Sequence, residues 1–419
     1  MVNQSVKTNQ DSIRSNRLGT INLGAGPCAL PTSVLEQAAC DLLDYQSSGL
    51  GVTEISHRSS AFQSINSTCQ DDLRSLLSVP SNFEIIFSQG GGLLQFSTVV
   101  MNLVNRYRLI NRTRPQDPVF ADYLVTGTWS QKAADEAKRL GCSVNILTDS
   151  RQYSHDLKTF DSIPDQSTWK FGDHHPAFIY YCDNETVNGV EFTDEGILGG
   201  SGLPKNYEDV PIVVDMSSNI LTRCIPTRLW DRVGVIFGGA QKNMGPSGLT
   251  VVVVRKDLME FESDQSIDYG GFRIPSMLIY RNLAENQSLL NTPPMFSIYV
   301  CGLVFKELIS KGGISFIEDL NQRKSRLVYD VIDSSEGGFY FNKIVKKYRS
   351  RMNVVFSLKG GKALEEKFIE QAHADGIKQI KGHRSVGGIR FSLYNAITLE
   401  QVESVCLFMK KFINDRLKQ

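Results

Sequence analysis

Lys242 is the residue in this chain best placed to act as a nucleophile. It sits in a glycine-rich turn, Gly238 to Gly248, between two apolar runs, Val233 to Phe237 and Leu249 to Val254. An ammonium held between apolar strands is desolvated, which lowers its pKa and frees the amine to attack a carbonyl and form a Schiff base. Gly238, Gly239, Gly245 and Gly248 let the backbone bend sharply and come close to a bound group. A surface turn with an incidental lysine has the same composition, so the other segments decide between the two readings.

Four further segments carry matching chemistry, each after an apolar run. Asp215 closes the run from Pro211, and a carboxylate there is costly unless a cation or hydrogen bonds compensate it; Lys242 is the nearest suitable cation. Trp129 follows the strand from Asp122 and is placed at its carboxyl end, where an indole stacks on a flat ring or fills the core. Thr186 ends the polar cluster after Ala177 to Cys182. Gly90, Gly91 and Gly92 join the strand Phe83–Phe87 to a helical pattern from Leu93 to Tyr107. Such a helix start offers backbone N–H groups and a positive dipole end to a phosphate, although a tight packing turn uses the same glycines. In the connection before the helical pattern Phe62 to Leu77, His57 and Arg58 stand together as a compact anion clamp.

Five strand-to-loop junctions therefore carry a glycine turn, an aromatic, a hydroxyl, a carboxylate and an amine. Helical stretches between several of them predict an α/β fold with a mainly parallel sheet covered on both faces. Pro31 to Glu36 opens a helix with Thr32 or Ser33 as its cap. Residues 151 to 175 read as a loop-rich connection with exposed histidines, and the segment around Gly199 to Pro204 as a surface insertion. Past Lys311-Gly-Gly313 the order helix, strand, helix, strand, helix predicts a smaller C-terminal α/β domain. The expected division is a mobile arm at 1–20, an N-terminal segment at 21–31, a large domain at 32–311 and a small domain at 312–419.

Composition sets the bounds. The chain has 419 residues, 41% hydrophobic and 21% charged, ordinary for a folded protein of two or three domains. Lys plus Arg and Asp plus Glu cancel at 45 each, so no global field draws the chain to nucleic acid or anionic lipid. Any anion must be held by local clusters. The eight cysteines lack a CxxC pair, so neither a disulfide framework nor a zinc or other metal site is expected, and a reducing, cytoplasmic setting fits best. The apolar runs are too short to span a bilayer, and residues 1 to 17 lack the apolar stretch of a signal peptide.

Pyridoxal 5'-phosphate asks for an amine, a carboxylate at the ring nitrogen, an aromatic to stack, a donor for the ring oxygen and a phosphate cup. Lys242, Asp215, Trp129, Thr186 and Gly91-Gly92 supply them in that order. The chain resembles the phosphoserine aminotransferase family, class V aminotransferases of fold type I, over nearly its whole length after about residue 20. The resemblance rests on Gly24 to Pro27, Glu54 to Arg58, Gly90 to Gly92, Asn184 to Thr186, Asp215 to Ser218, Gly239 to Asn243, Asn291 to Pro294, Ser350 to Asn353, Lys381 to Arg384 and Gly387 to Arg390.

That resemblance implies a large domain with a seven-stranded, mainly parallel sheet, and an N-terminal segment that packs with the small domain. It implies transamination between 3-phosphohydroxypyruvate and glutamate in serine biosynthesis. Lys242 and Asp215 are then the catalytic pair, and Gln241 and the helix start Gly91, Gly92 and Leu93 lie at the cofactor. Asn291 and Thr292 reach the cofactor phosphate from the neighbouring subunit of a homodimer. Arg390 holds the substrate α-carboxylate, and His57 and Arg58 of the neighbour join His383 and Arg384 around the substrate phosphate. Leu93-Leu94 stands where some members have Arg-Gly, so any contact by that arginine is absent here. Another class V enzyme, such as an alanine:glyoxylate aminotransferase, and a non-catalytic phosphate-binding protein are the competing expectations. A cysteine desulfurase is disfavoured because no cysteine sits in an obvious mobile catalytic loop.

Overall fold

The computed structural model describes residues 12–199 and 202–417. Residues 1–11 of the expected arm, and 200–201 of the expected insertion, lie outside the described residues; 12–18 are helical. The strands in chain order are β1 (Ile21–Asn22), β2 (Phe83–Ser88), β3 (Phe120–Val125), β4 (Ser143–Asp149), β5 (Ile179–Cys182), β6 (Asn184–Glu185), β7 (Val190–Glu191), β8 (Ile212–Asp215), β9 (Val233–Gly239), β10 (Thr250–Arg255), β11 (Tyr340–Phe341), β12 (Asn353–Leu358), β13 (Ile377–Lys378) and β14 (Ile389–Ser392).

The chain divides into two compact units. The larger comprises Leu30–Asp319 and Ile344–Ser350. Its seven-stranded sheet has the order β2-β10-β9-β8-β5-β3-β4. Only β10 runs against its neighbours, pairing antiparallel with both β2 and β9, while the remaining pairs are parallel. This is the mainly parallel α/β sheet expected.

Continuous apolar runs form these strands because both faces are covered. Val251 and Val253 belong to one core with Ile85, Ile212 and Ile236, and Val252 and Val254 to a second with Ile86, Val213 and Val235. Helices Ser60–Leu77 and Met295–Ser310 contribute to the first core and helices Gly91–Asn111 and Thr128–Arg139 to the second. Each fully buried Val or Ile contributes about 1.5–3 kcal/mol of hydrophobic stabilisation.

Two local expectations are corrected. Helix Thr32–Asp41 has Pro31 at its N-cap and no side-chain cap; the Ser33 hydroxyl instead donates to Glu307 at 2.5 Å, so a tertiary acceptor replaces the local one. His174 is not exposed. Its Nε2 lies 2.8 Å from Asp122 Oδ1, and its ring stacks on Phe120 at 4.1 Å. Asp122 is fully buried in β3 and also accepts from Tyr207, so the imidazole and the phenol stabilise a carboxyl that burial pushes upward.

The smaller unit takes the described residues up to Ala29, then Leu320–Lys343 and from Arg351 onward. The division falls inside helix Gly313–Asp333. Its sheet, β11-β12-β14, is antiparallel, and β13 pairs with β1 in parallel instead of joining it. Lys324 is fully buried here, and its Nζ donates at 3.0 Å to the carbonyls of Leu393, Tyr394 and Ile397 just after β14.

Candidate active site

Because β10 is antiparallel to both β2 and β9, strands β2, β9, β8, β5 and β3 all run the same way, and their carboxyl ends share one edge of the sheet. Open α/β sheets bind ligands at that edge. The register sets Cys182, Asp215 and Phe237 side by side. Residues far apart in sequence are thereby brought together. Lys242 Nζ donates to Thr186 Oγ1 at 2.7 Å and lies 5.9 Å from the centre of the Trp129 ring. The lysine is only 9% exposed.

Asp215, the last residue of β8, is buried. Its Oδ1 accepts from the Ser217 N–H at 2.9 Å and its Oδ2 from the Tyr180 hydroxyl at 3.3 Å. Burial raises its pKa, opposed by the Ser217 hydrogen bonds, the Lys242 charge and the Tyr180 hydroxyl. The expected cation is therefore one of three compensations, and Ser217 and Tyr180 are partners that periodicity does not reveal.

Trp129 is not at the end of a strand. Strand β3 stops at Val125, and Trp129 is the second residue of helix Thr128–Arg139, whose N-cap is Gly127. The glycine turn follows β2. Gly90 and Gly91 have φ of 87° and 66°, a conformation open to glycine, and helix Gly91–Asn111 starts there. The Gly91 N–H donates to Thr250 Oγ1 at 2.8 Å, so the next amides, Gly92 and Leu93, are the donors at this helix start. Added at Gly92, a Cβ would come within 3.6 Å of Ser217 Oγ and 3.9 Å of Phe237. Gln241 is half-buried, its amide 2.5 Å from where a Gly239 Cβ would lie.

Two groups of buried polar residues that apolar periodicity does not mark also support the site. Glu185, beside Thr186, accepts from the backbone N–H groups of Trp129 and Ser130 at 2.8 Å each and from the Ser130 hydroxyl at 2.6 Å. Behind Asp215, Arg223 is buried with its Nη2 2.5 Å from Asp183 Oδ2 and its Nε 4.0 Å from Glu191 Oε1. Asn219 Nδ2 bridges the same two carboxylates at 2.6 and 3.2 Å. The sequence signal is the density of charge from Asp183 to Glu191 directly after the apolar run Ala177 to Cys182, which is costly where the segment is buried.

His57 is half-buried, Arg58 exposed, Asn291 half-buried and Thr292 exposed. Two of these segments meet, with Thr292 Oγ1 3.3 Å from His57 Nδ1 in the same chain. In the smaller unit, Arg390 lies on β14 with its guanidinium pKa lowered by burial, and His383 Nδ1 lies 2.7 Å from Ser385 Oγ, next to the exposed Arg384. Among the described residues no group of three or more His, Cys, Asp and Glu is placed to hold a metal ion, and no helix is long and apolar enough to cross a membrane.

Comparison with known proteins agrees with this geometry. The aminotransferase class-V family model matches residues 20–405. A phosphoserine aminotransferase of Ralstonia nicotianae is 42% identical over 401 residues, covering 96% of this chain and 97% of that protein. That of Drosophila melanogaster is 43% identical over 395 residues, 94% of this chain and 98% of that protein. Among solved structures, phosphoserine aminotransferase from Bacillus circulans subsp. alkalophilus aligns with a TM-score of 0.82 at 35% identity, covering 95% of this chain and 99% of that one. A PLP-bound phosphoserine aminotransferase from Trichomonas vaginalis aligns at 0.80 and 36% identity, covering 93% and 99%. An alanine–glyoxylate aminotransferase from Nostoc sp., 16% identical with a TM-score of 0.65 over 93% of this chain and 94% of that one, shares the fold alone. The chain thus belongs to the class-V aminotransferases and, within them, to the phosphoserine aminotransferase family.

Proposed function

We propose that this chain is a pyridoxal-phosphate-dependent transaminase that interconverts O-phospho-L-serine and 2-oxoglutarate with 3-phosphohydroxypyruvate and L-glutamate. The observation that carries the reading is the meeting of Lys242 Nζ with Thr186 Oγ1 at 2.7 Å under the Trp129 ring, on the sheet edge that holds Asp215. The residues fit the cofactor. Trp129 Nε1 is buried without a hydrogen-bond partner, and a Cβ at Gly91 would meet nothing within 4 Å, so the glycine turn is open on that side.

Gly91, Gly92, Leu93 and Gln241 would hold the phosphate, Trp129 the ring face, Thr186 the ring oxygen and Asp215 the ring nitrogen. When bound, pyridoxal phosphate supplies an electron sink for charge that develops at the substrate Cα. Lys242 moves the proton to and from that carbon, with Thr186 orienting its amine. Asp215 keeps the proton on the ring nitrogen, and Trp129 excludes water from one face.

Arg390 takes the substrate α-carboxylate, and His57, Arg58, His383 and Arg384 take the phosphate or the glutamate γ-carboxylate. Histidine suits both groups because its charge adjusts near neutral pH. The active unit is a homodimer in which Asn291, Thr292, His57 and Arg58 serve the neighbour's site. The 3.3 Å contact between His57 and Thr292 supports this, since both segments then move to the neighbour as one patch. The eight cysteines are thiols and not disulfides, which fits a reducing compartment such as the cytoplasm.

The test is to purify the protein, look for a yellow colour that borohydride removes, and compare phosphoserine, alanine and serine as amino donors to 2-oxoglutarate. Preference for phosphoserine is expected. A colourless protein that does not take up pyridoxal phosphate would refute the reading, and preference for alanine would reassign the substrate.

A further inference from the structure

Helix Thr128–Arg139 begins at Gly127, which has no side chain with which to cap it. Its first three amides are nevertheless all satisfied, two from the end of β6 and one from the turn that joins β6 to β7. Thr128 N–H donates to Asn188 Oδ1 at 2.8 Å, Trp129 N–H to Glu185 Oε2 at 2.8 Å and Ser130 N–H to Glu185 Oε1 at 2.8 Å. The Ser130 hydroxyl adds a third donor to Glu185 at 2.6 Å, while its oxygen accepts from the amides of Thr126 and Gly127 at 3.0 and 3.1 Å.

The approach is so close that a Cβ on Gly127 would lie 2.3 Å from Glu185 Cγ and Cδ. The residue after this glutamate is Thr186, whose hydroxyl receives the Lys242 amine. One buried carboxylate therefore ties the residue under the lysine to the residue beside it. All three hydrogen-bonding groups that face Glu185 donate to its two oxygens, the arrangement that an ionised carboxylate accepts in full.

Resting on the proposed transaminase reading, we infer that Glu185 is a positioning residue of the reaction: as a carboxylate it caps the Trp129 helix from another element and fixes the indole relative to the Thr186 hydroxyl and the Lys242 amine. It touches none of the reacting atoms in this role.

The position is also responsive to pH. Full burial raises the Glu185 pKa to about 7, opposed by the Ser130 and Trp129 donors and reinforced by the Asp215 charge at the end of β8. The Tyr180 and Cys182 side chains of β5 feel its charge in turn. The folded value lies above the unfolded one. As pH falls through about 7 the carboxylate takes up a proton, one of its acceptor sites becomes a donor, and the cap loosens.

The test uses the full chain with Glu185→Gln and Glu185→Ala. The dissociation constant for pyridoxal phosphate is expected to rise about tenfold for Gln and further for Ala, on the scale of a lost helix cap with a desolvated donor left behind. The Trp129 share of the fluorescence, obtained by difference from Trp129→Phe, is expected to titrate with a midpoint near 7 in the wild type, from the same carboxylate. That titration should vanish in Glu185→Gln. A purely structural glutamate would alter stability without removing a titration at Trp129.

The inference is overturned if the wild-type Trp129 signal is flat between pH 5.5 and 8.5, or if the Gln variant titrates as the wild type does and binds the cofactor within threefold of it. The wild-type titration decides the matter even if both variants fail to fold. A wild-type protein that binds no pyridoxal phosphate would instead remove the transaminase reading, so the two failures are distinct.

Discussion

Arg223→Met is expected to destabilise the protein by about 3–5 kcal/mol at pH 8, the usual cost of removing one partner from a buried charge cluster. The Arg223 side chain is 1% exposed, and its guanidinium lies 2.5 Å from Asp183, 4.0 Å from Glu191 and 3.6 Å from Asp194. Asp194 has a side chain 55% exposed and counts for little, whereas Asp183 and Glu191 are buried. At an effective dielectric of about 20, unit charges 4 Å apart interact by about 4 kcal/mol, so the loss of either attraction is large beside a typical protein stability.

Methionine keeps an unbranched apolar stem and leaves the carboxylates with Asn219 as their shared donor. The sign with pH follows. Burial and the Glu191 charge raise the Asp183 pKa while Arg223 lowers it, so removing the arginine raises the folded-state value further above the unfolded one. The penalty is then full above the variant's folded value and shrinks as pH falls from there toward the wild type's folded value, itself raised above the unfolded one.

Urea unfolding of the variant and the wild type at pH 8 and pH 5 tests this, and the gap should narrow on acidification. Cofactor affinity should fall as well, since the Asp183 N–H donates to the Asp215 carbonyl at 2.9 Å and the cluster supports that strand end. A gap below about 1 kcal/mol at pH 8, or one that does not shrink at pH 5, would refute the argument that the buried carboxylates depend on this one cation.

The remaining predictions concern the chemistry. Lys242→Ala should fold and lose transamination, and borohydride should no longer fix the cofactor to the chain; turnover within tenfold of wild type would remove the lysine from its role. Asp215→Asn should still bind cofactor but lose several orders of magnitude in turnover, because its charge acts on the electron sink in the carbanionic transition state; unchanged turnover would leave Asp215 a structural residue. Mixing Lys242→Ala with Arg58→Ala chains should recover activity that neither parent has, up to about half of the wild-type sites in each heterodimer, because both lesions then share one site. Absence of recovery in verified heterodimers, or a fully active monomer by sedimentation, would contradict the shared-site dimer.

What the chain itself specifies is the set of strand ends and the residues they carry. Val251 to Val254 can only be a strand covered on both faces, and an amine, a carboxylate, a hydroxyl, an indole and a glycine turn after such runs read as one site because parallel sheets collect those ends. Side chains whose partner lies far away in sequence were not legible. Ser33 looked like a cap until Glu307 claimed its hydroxyl, and His174 looked exposed until Asp122 needed it.

The tertiary structure alone decided the rest. It inserted β10 antiparallel between β2 and β9, which is what leaves the glycine turn and Lys242 on the same edge. It also moved Trp129 from a strand end into a helix and supplied the cap from Glu185, a residue in another element. The physical reason is common to these cases. Apolar periodicity is a local property of the chain, but a buried donor or charge must find its partner wherever the fold brings one within hydrogen-bond reach.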